Sequence, residues 1–153
     1  MAGSLYSHTG SGSNYLCLTT DPLWGHYDDS AGVHTAQIYG AEYEGLVFSS
    51  SLHDEDAPCS VCQSKAARTV MMIPGRNKCY TGWNMEYNGY LVANNIDNTK
   101  SEYVCLDSPP DVIYGGHTDQ NGAVLYSVEG ICGSLPCPPY VNGRELTCVV
   151  CSK

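Results

Sequence analysis

Short apolar runs alternate with polar turns along the whole chain, and they predict strands rather than helices. The clearest runs are Tyr15-Leu16-Cys17-Leu18 and Thr69–Pro74, with a looser alternation over residues 33–48. Gly, Asn, Ser and Asp separate the runs, as is typical of tight turns. No apolar period of 3.6 residues persists for a full helix. The pattern predicts an all-β fold with an exposed acidic loop at His53–Asp56, and the expected core positions within residues 33–48 are Ile38, Tyr39, Tyr43, Val47 and Phe48.

The composition supports short strands and restricts the classes of partner. Of the 153 residues, 12 are Tyr, 16 are Gly and one is Phe. Tyr suits half-buried sheet surfaces, and Gly supplies the positive φ of tight turns. The net charge of −9 disfavours nucleic acid, which needs a basic surface, and it disfavours adsorption to anionic membranes. No apolar run is long enough for membrane insertion.

The cysteine content predicts the compartment. Nine cysteines are typical of an oxidising environment, because cytosolic thiols are kept reduced. The first eight residues have neither the basic region nor the apolar region of a signal peptide. We therefore expect a mature or excised part of a secreted, extracellular protein.

Similar segments recur in the same order in the two halves of the chain. Three segments of the first half match segments that follow them by 88, 87 and 89 residues. The matched segments are Tyr15–Leu18 with Tyr103–Leu106, Tyr39–Glu42 with Tyr126–Glu129, and Cys59–Cys62 with Cys148–Cys151.

The nearly constant offset predicts an internal duplication that forms two pseudo-symmetric, disulfide-stapled lobes. Residues 1–66 are expected to form the first β repeat and residues 67–153 the second, together one compact domain. Residues 69–90 have no counterpart before Cys17, so the first repeat is expected to be incomplete on its N-terminal side.

The order of these segments resembles a family of extracellular proteins. The succession Cys59-Ser-Val-Cys62, Val70–Met72, Cys79-Tyr-Thr-Gly-Trp83 and Tyr87-Asn-Gly-Tyr90 distantly resembles the non-collagenous C-terminal domain of type IV collagen. A closer resemblance is to the globular C-terminal region of the short-chain collagens of sponges and related invertebrate proteins. It covers essentially the whole chain and is carried by Tyr15–Leu18, Ile38–Tyr43 and Cys132–Cys151.

This resemblance implies a disulfide framework, since each type IV subdomain pairs its cysteines first to sixth, second to fifth and third to fourth. Transferred to this sequence, the pattern leaves Cys62 as a free or intermolecular thiol. The implied pairs are Cys79–Cys151, Cys105–Cys148 and Cys132–Cys137 in the second repeat, and Cys17–Cys59 in the first.

The sequence patterns do not favour a metal site or a catalytic site. Zinc ribbons separate their Cys-x-x-Cys pairs by roughly 15–20 residues, whereas Cys62 and Cys148 lie more than eighty residues apart. The acidic residues of His53–Asp56 could hold calcium, but they lack the ligand alternation of an EF-hand loop, and a solvated loop is the preferred interpretation. No nucleophile elbow, zinc-protease motif or phosphate loop is present, so we predict neither an enzyme nor a required cofactor.

Two groups are candidates for ligand or adhesion contacts. Asn142-Gly143-Arg144 is first a tight-turn signal, and deamidation of Asn142 would convert it into an integrin-binding isoaspartyl-Gly-Arg sequence. The second group is Trp24 with Asp28 and Asp29, for which a packed turn is the preferred interpretation. Exposed Tyr and Trp rings would also suit stacking on sugars.

The resemblance implies an extracellular structural module that forms a homo-oligomer or binds other matrix proteins. The chain has no Gly-X-Y repeat, so a collagen triple helix is expected either to lie upstream or to be absent. The alternative is a secreted carbohydrate-binding lectin on the same scaffold, with glycans as partners and calcium as an optional ligand.

Overall fold

A computed structural model describes residues 1–29, 32, 34–64 and 69–153. Within these ranges the fold is all-β, as predicted, and the one helical segment there is a 3-10 turn at Ser50–Leu52. The described residues include no helix with the length and apolar character needed to cross a membrane. The predicted boundary between residues 66 and 67 lies outside the described residues.

The described residues contain ten strands, most of them short. They are β1 (Ala2–Gly3), β2 (Tyr39–Tyr43), β3 (Glu55–Asp56), β4 (Val70–Pro74), β5 (Asn84–Ala93), β6 (Val104–Asp107), β7 (Ala123–Ser127), β8 (Glu129–Gly130), β9 (Arg144–Glu145) and β10 (Thr147–Ser152).

Eight of these strands form one curled sheet with the order β1-β2-β7-β5-β10-β4. In addition, β3 pairs with β2 and β6 pairs with β5, while β8 and β9 form a separate two-stranded ribbon. Most pairs are antiparallel, but β2 and β7 run parallel, with Glu42 opposite Val124. Since β2 belongs to the first half of the chain and β7 to the second, a single sheet passes through both halves.

The long strand β5 organises the second half. Most of its length pairs with β10, its last residues pair with β7, and β6 pairs with its other edge. A Cβ atom at Gly89 would lie 1.8 Å from the carbonyl oxygen of Leu106. The close approach of β5 and β6 therefore requires glycine at this position.

The core packs around Tyr43, which is 1% exposed. Its hydroxyl donates a hydrogen bond to the Asp111 carbonyl at 2.9 Å, and burial together with the charges of Asp107 and Asp111 raises the pKa of Tyr43 to about 12. The other core members include Ala41, Leu46, Ala57, Val92, Leu106, Ala123 and Leu125.

The expected core positions within residues 33–48 are only partly correct. Tyr39 is half-buried, and Phe48 stacks on Tyr90 with ring centroids 4.0 Å apart. Ile38 and Val47, however, are 48% and 64% exposed. The alternation fails because, among the described residues of this range, only residues 39–43 form a strand, so Ile38 precedes it and Val47 lies in the connection to β3.

Four disulfides fasten the strands and loops of the described chain: Cys17–Cys59, Cys79–Cys151, Cys105–Cys148 and Cys132–Cys137. These are the pairs that the resemblance implies. Four bridges are typical of an oxidising, extracellular environment. Each long-loop bridge contributes roughly 4 kcal/mol by restricting the unfolded chain.

Candidate functional site

Cys62 is exposed and unbridged in the described part of the chain. It belongs to the segment Pro58–Gln63, which has no strand and no backbone hydrogen bond among the described residues. Val61 is 87% exposed, and Cys59 holds the segment through its bridge to Cys17. The segment is therefore anchored covalently, while its backbone is not hydrogen-bonded to any described residue.

The backbone pairing of the first half recurs in the second. In the first half, the Ala57 amide donates to the Ala41 carbonyl, and the Ala41 amide donates to the Met1 carbonyl. The same bonds link Leu146 to Val128 and Val128 to Leu91. The strand registers agree as well. The β1–β2 pairs Ala2–Gly40 and Gly3–Tyr39 correspond to the β5–β7 pairs Val92–Ser127 and Ala93–Tyr126. The β2–β3 pairs Glu42–Asp56 and Tyr43–Glu55 correspond to the β8–β9 pairs Glu129–Glu145 and Gly130–Arg144.

With these registers aligned, Pro58–Gln63 corresponds to β10, and Cys62 corresponds to Cys151. β10 lies between β4 and β5, and its Cys151 is bridged to Cys79. The two corresponding segments thus differ in their pairing, because no strand among the described residues is hydrogen-bonded to Pro58–Gln63.

The predicted turn at Asn142 and Gly143 is confirmed. Both residues lie in the turn that leads into β9, and Gly143 has a φ of +69°. The Oδ1 atom of Asn142 accepts a hydrogen bond from the Cys132 amide at 3.0 Å, while Arg144 pairs with Gly130. Asn142 thereby closes the β8–β9 connection, and its role in adhesion stays a prediction.

The second predicted group, Trp24 with Asp28 and Asp29, lies on a surface loop without strands. Trp24 is 78% exposed, and both aspartates belong to exposed residues of the same loop. A packed turn around Trp24 is therefore wrong, because its ring is not covered by the described residues. The loop does offer an accessible aromatic face.

A groove of about 880 Å³ runs between the 94–101 turn and the strands β7 and β8. Side-chain amides and hydroxyls line one part of it, and the rings of Tyr103 and Tyr126 line another. The sequence indicates only a polar turn at Asn94–Thr99, because the groove depends on packing against β7, which lies far along the chain.

Carboxylates converge at the end of β2, at a site that is not among those predicted from the sequence. Glu42 is 2% exposed, and its Oε2 accepts the amides of Gln120 and Asn121 at 3.2 and 3.1 Å. The parallel pairing of β2 with β7 places the loop that contains Asp119 beside these residues. Ligand atoms of Glu42, Glu44 and Asp119 all lie within 4.8 Å of one another.

Glu44 is the member of this cluster whose carboxylate has an oxygen without a hydrogen-bond partner in the described chain. Its side chain is 8% exposed, and its Oε1 atom is buried without a hydrogen-bond partner among the described residues. Burial raises the pKa of the Glu44 carboxyl; His53 opposes the shift, and the negative charges of Asp54, Asp119 and Glu42 add to it. A signal for this site exists in the sequence, since glutamates two positions apart at a strand place their side chains on one face.

His53 and Asp54 flank Glu44 on the other side. His53 Nδ1 donates to the Glu44 carbonyl at 2.9 Å and lies 3.3 Å from Glu44 Oε2, while Nε2 lies 3.5 Å from Asp54 Oδ1. The hydrogen bond to this carbonyl and the charge of Asp54 raise the pKa of His53. The predicted solvated loop at His53–Asp56 is thus only partly correct. His53 and Asp54 lie in a turn and His53 is exposed, but Glu55 and Asp56 form β3, and the pairing of β3 with β2 leaves them half-buried.

Comparison of the chain with protein-family models, curated proteins and solved structures found no match. The resemblance to short-chain collagens stays a prediction that rests on the residues quoted for it.

Proposed function

We propose that the chain is a secreted structural and assembly module of the short-chain-collagen type, which associates with a second copy of itself or with another matrix protein. The observation that carries the proposal is the unpaired segment Pro58–Gln63 with its exposed Cys62. The four disulfides are compatible with the extracellular location that this function requires.

The surroundings of β10 indicate what Pro58–Gln63 would gain from a partner. β10 is bonded to a strand on each side and is bridged through Cys151. A segment with free N–H and C=O groups accepts an added strand through main-chain hydrogen bonds. An incoming strand on Pro58–Gln63 would therefore complete the pattern found around β10, and the repeated pairing supports an internal duplication as its origin.

A cysteine on the incoming strand would meet Cys62 as Cys79 meets Cys151. Formation of that bridge removes one proton from each thiol and passes two electrons to a disulfide oxidant, such as oxidised glutathione, which becomes two thiols. An odd cysteine in a secreted protein often serves such an intermolecular pairing.

Sedimentation velocity in a glutathione redox buffer, followed by mass spectrometry under non-reducing conditions, tests the proposal. We expect concentration-dependent oligomers, part of them linked through Cys62. Cys62→Ser should remove the covalent species and keep the non-covalent one, whereas Val61→Lys should weaken both. A wild-type chain that stays monomeric, alone and with matrix extracts, would contradict the assembly function.

The groove beside the 94–101 turn favours a second function, that of a lectin. Its amides can hydrogen-bond sugar hydroxyls, and the ring of Tyr103, which is 61% exposed, can stack on a sugar face. A saturable glycan-array signal that is lost in Asn98→Ala and Tyr103→Ala would support this function. Trp24→Ala is the matched control, and loss of binding in that variant would move the sugar site to the Trp24 loop.

A further inference from the structure

The buried Glu44 carboxylate is chemically incomplete in the fold. Its Oε1 atom has no hydrogen-bond partner among the described residues, and its side chain is more than nine-tenths buried. A buried ionised group without adequate partners is costly, because it loses hydration without replacing it. The surroundings add like charge, since the carboxylates of Glu42 and Asp119 lie within 4.8 Å of it.

The cationic side chain that contacts Glu44 does not complete it. In the described chain, the ion pairs of this cluster involve only His53, whose Nδ1 faces the Oε2 atom of Glu44 and not the orphan Oε1. Both ring nitrogens of His53 are already directed at oxygens of Glu44 and Asp54. The unpartnered Oε1 atom therefore indicates that a ligand other than a protein side chain binds here.

The spacing of the oxygens suits one divalent ion. Calcium binds oxygen ligands at about 2.3–2.6 Å, so two of its ligands on opposite sides can be about 5 Å apart. The oxygens of Glu42, Glu44 and Asp119 fall within this limit. Magnesium requires shorter distances and near-ideal octahedral geometry, which three carboxylates from a strand and a loop do not readily provide.

The donor set also selects the type of ion. Zinc and copper prefer imidazole and thiolate ligands, whereas the ligand atoms that lie together here are carboxylate oxygens of Glu42, Glu44 and Asp119. Eight of the nine cysteines are held in disulfides. Calcium accepts irregular sets of carboxylate, carbonyl and water oxygens.

We propose that Glu42, Glu44 and Asp119 form a calcium site, in which the ion completes the buried Oε1 atom of Glu44 and fastens the Asp119 loop to the end of β2. Glu42 already binds two backbone amides of that loop, so the ion reinforces an existing contact. With one oxygen of Glu42 engaged in this way, we expect a dissociation constant of about 10⁻⁴–10⁻³ M, the range of extracellular calcium modules. The site does not depend on the proposed assembly function.

Isothermal titration with CaCl₂, and terbium luminescence excited through the tyrosines, test the site on the intact, oxidised chain. We expect one saturable calcium site per chain, with MgCl₂ binding at least about tenfold more weakly. Glu44→Gln and Asp119→Asn should each weaken calcium binding about tenfold or more, because each removes a charged ligand. Glu129→Gln is the matched control, since Glu129 occupies the position that corresponds to Glu42 and is exposed.

A thermal melt in EDTA and in calcium separates loss of the ion from loss of the fold. Wild type should melt at a higher temperature in calcium, whereas Glu44→Gln should melt at the same temperature in both buffers and no lower than wild type in EDTA. The proposal is overturned by the absence of saturable binding to wild type, by equal affinity for magnesium, or by unchanged calcium binding in both variants.

Discussion

The connection between β2 and β3, residues 44–54, and the connection between β8 and β9, residues 131–143, start and end on the same backbone pairing. Each contains, just before its second strand, a residue with positive φ: Asp54 at 63° and Gly143 at 69°. In both, the side chain of the preceding residue, His53 or Asn142, is hydrogen-bonded to the backbone at the start of the connection.

The two connections differ in what holds them closed. A disulfide, Cys132–Cys137, fastens the β8–β9 connection, whereas an ion pair between His53 and Glu44 fastens the β2–β3 connection. At the position of Glu44 the second half has Ile131. The comparison teaches that main-chain pairing defines the frame, while side chains at corresponding positions are free to supply a covalent link or a charged cluster.

Removal of a disulfide that closes a long loop should have the largest effect on the unfolding free energy. We expect Cys105→Ala with Cys148→Ala to cost about 4 kcal/mol of unfolding free energy through loop closure, with a further loss because Cys148 is fully buried. The Cys132–Cys137 bridge closes a much shorter loop, with a sequence separation of 5. Its removal in Cys132→Ala with Cys137→Ala should cost about 2 kcal/mol. Urea unfolding followed by tryptophan fluorescence measures both, and equal costs would show that loop length does not set the contribution.

Tyr15 and Tyr103 occupy matched positions and should respond differently to the loss of a hydroxyl. The Tyr15 hydroxyl donates to the Val124 carbonyl at 2.9 Å, so Tyr15→Phe leaves that buried carbonyl without this donor and should cost about 1–2 kcal/mol. Tyr103 is 61% exposed, and Tyr103→Phe should leave the unfolding free energy unchanged. Urea titration of the two variants side by side gives the difference.

The same tyrosine predicts a pH dependence. Burial raises the pKa of Tyr15, its hydrogen bond with Ser101 opposes the shift, and the charge of Glu102 adds to it. The folded state therefore favours the neutral phenol, and its contribution is complete below the unfolded pKa of about 10. The contribution should disappear as the pH rises through the folded-state pKa, and Tyr15→Phe should show a smaller decline of stability above pH 10 than wild type.

Glu44→Gln should stabilise the chain in calcium-free buffer, by about 1 kcal/mol, because it replaces a buried charge of poor hydrogen bonding with a neutral group of the same shape. Glu129→Gln should change nothing, since Glu129 is exposed. Thermal melts in EDTA measure the two effects. A destabilised Glu44→Gln variant would mean that the His53 ion pair outweighs the burial of the charge.

The smallest loss of stability should come from the turn of the β8–β9 connection. Gly143→Ala places a Cβ on a residue with a φ of +69° and should cost about 1 kcal/mol. Gly143→Asn should cost less, since Asn tolerates this conformation and Asp54 adopts it at the corresponding position. Equal losses in the two variants would show that the side chain, and not the backbone conformation, is at fault.

The features that the sequence predicts are those with local signals. The apolar run at Thr69–Pro74 predicts β4, and Asn142-Gly143 predicts a turn, because the residues that determine each feature are adjacent in the chain. Local alternation also misleads, as at Val47, because alternation does not show where a strand ends.

The carboxylate cluster could not be predicted in the same way. Its position depends on the parallel pairing of β2 with β7, which brings Asp119 to Glu44 from a distant part of the chain. The sequence also does not show that Ala2 and Gly3 pair with β2 in the same way that Val92 and Ala93 pair with β7. Main-chain hydrogen bonds set this match, and they impose little on the side chains involved.

The parallel pairing of β2 with β7 also has a consequence for how the protein is made. Cys17 and Cys59 can bridge, and β2 can pair with β1 and β3, as soon as the first half is synthesised, but β2 obtains its parallel partner β7 only when residues 123–125 have appeared. At about 5–20 residues per second, the open edge of β2 waits for several seconds beside other nascent chains. We expect the first half to depend on chaperones during this interval, and we expect mispaired dimers to accumulate when translation is slowed between β2 and β7.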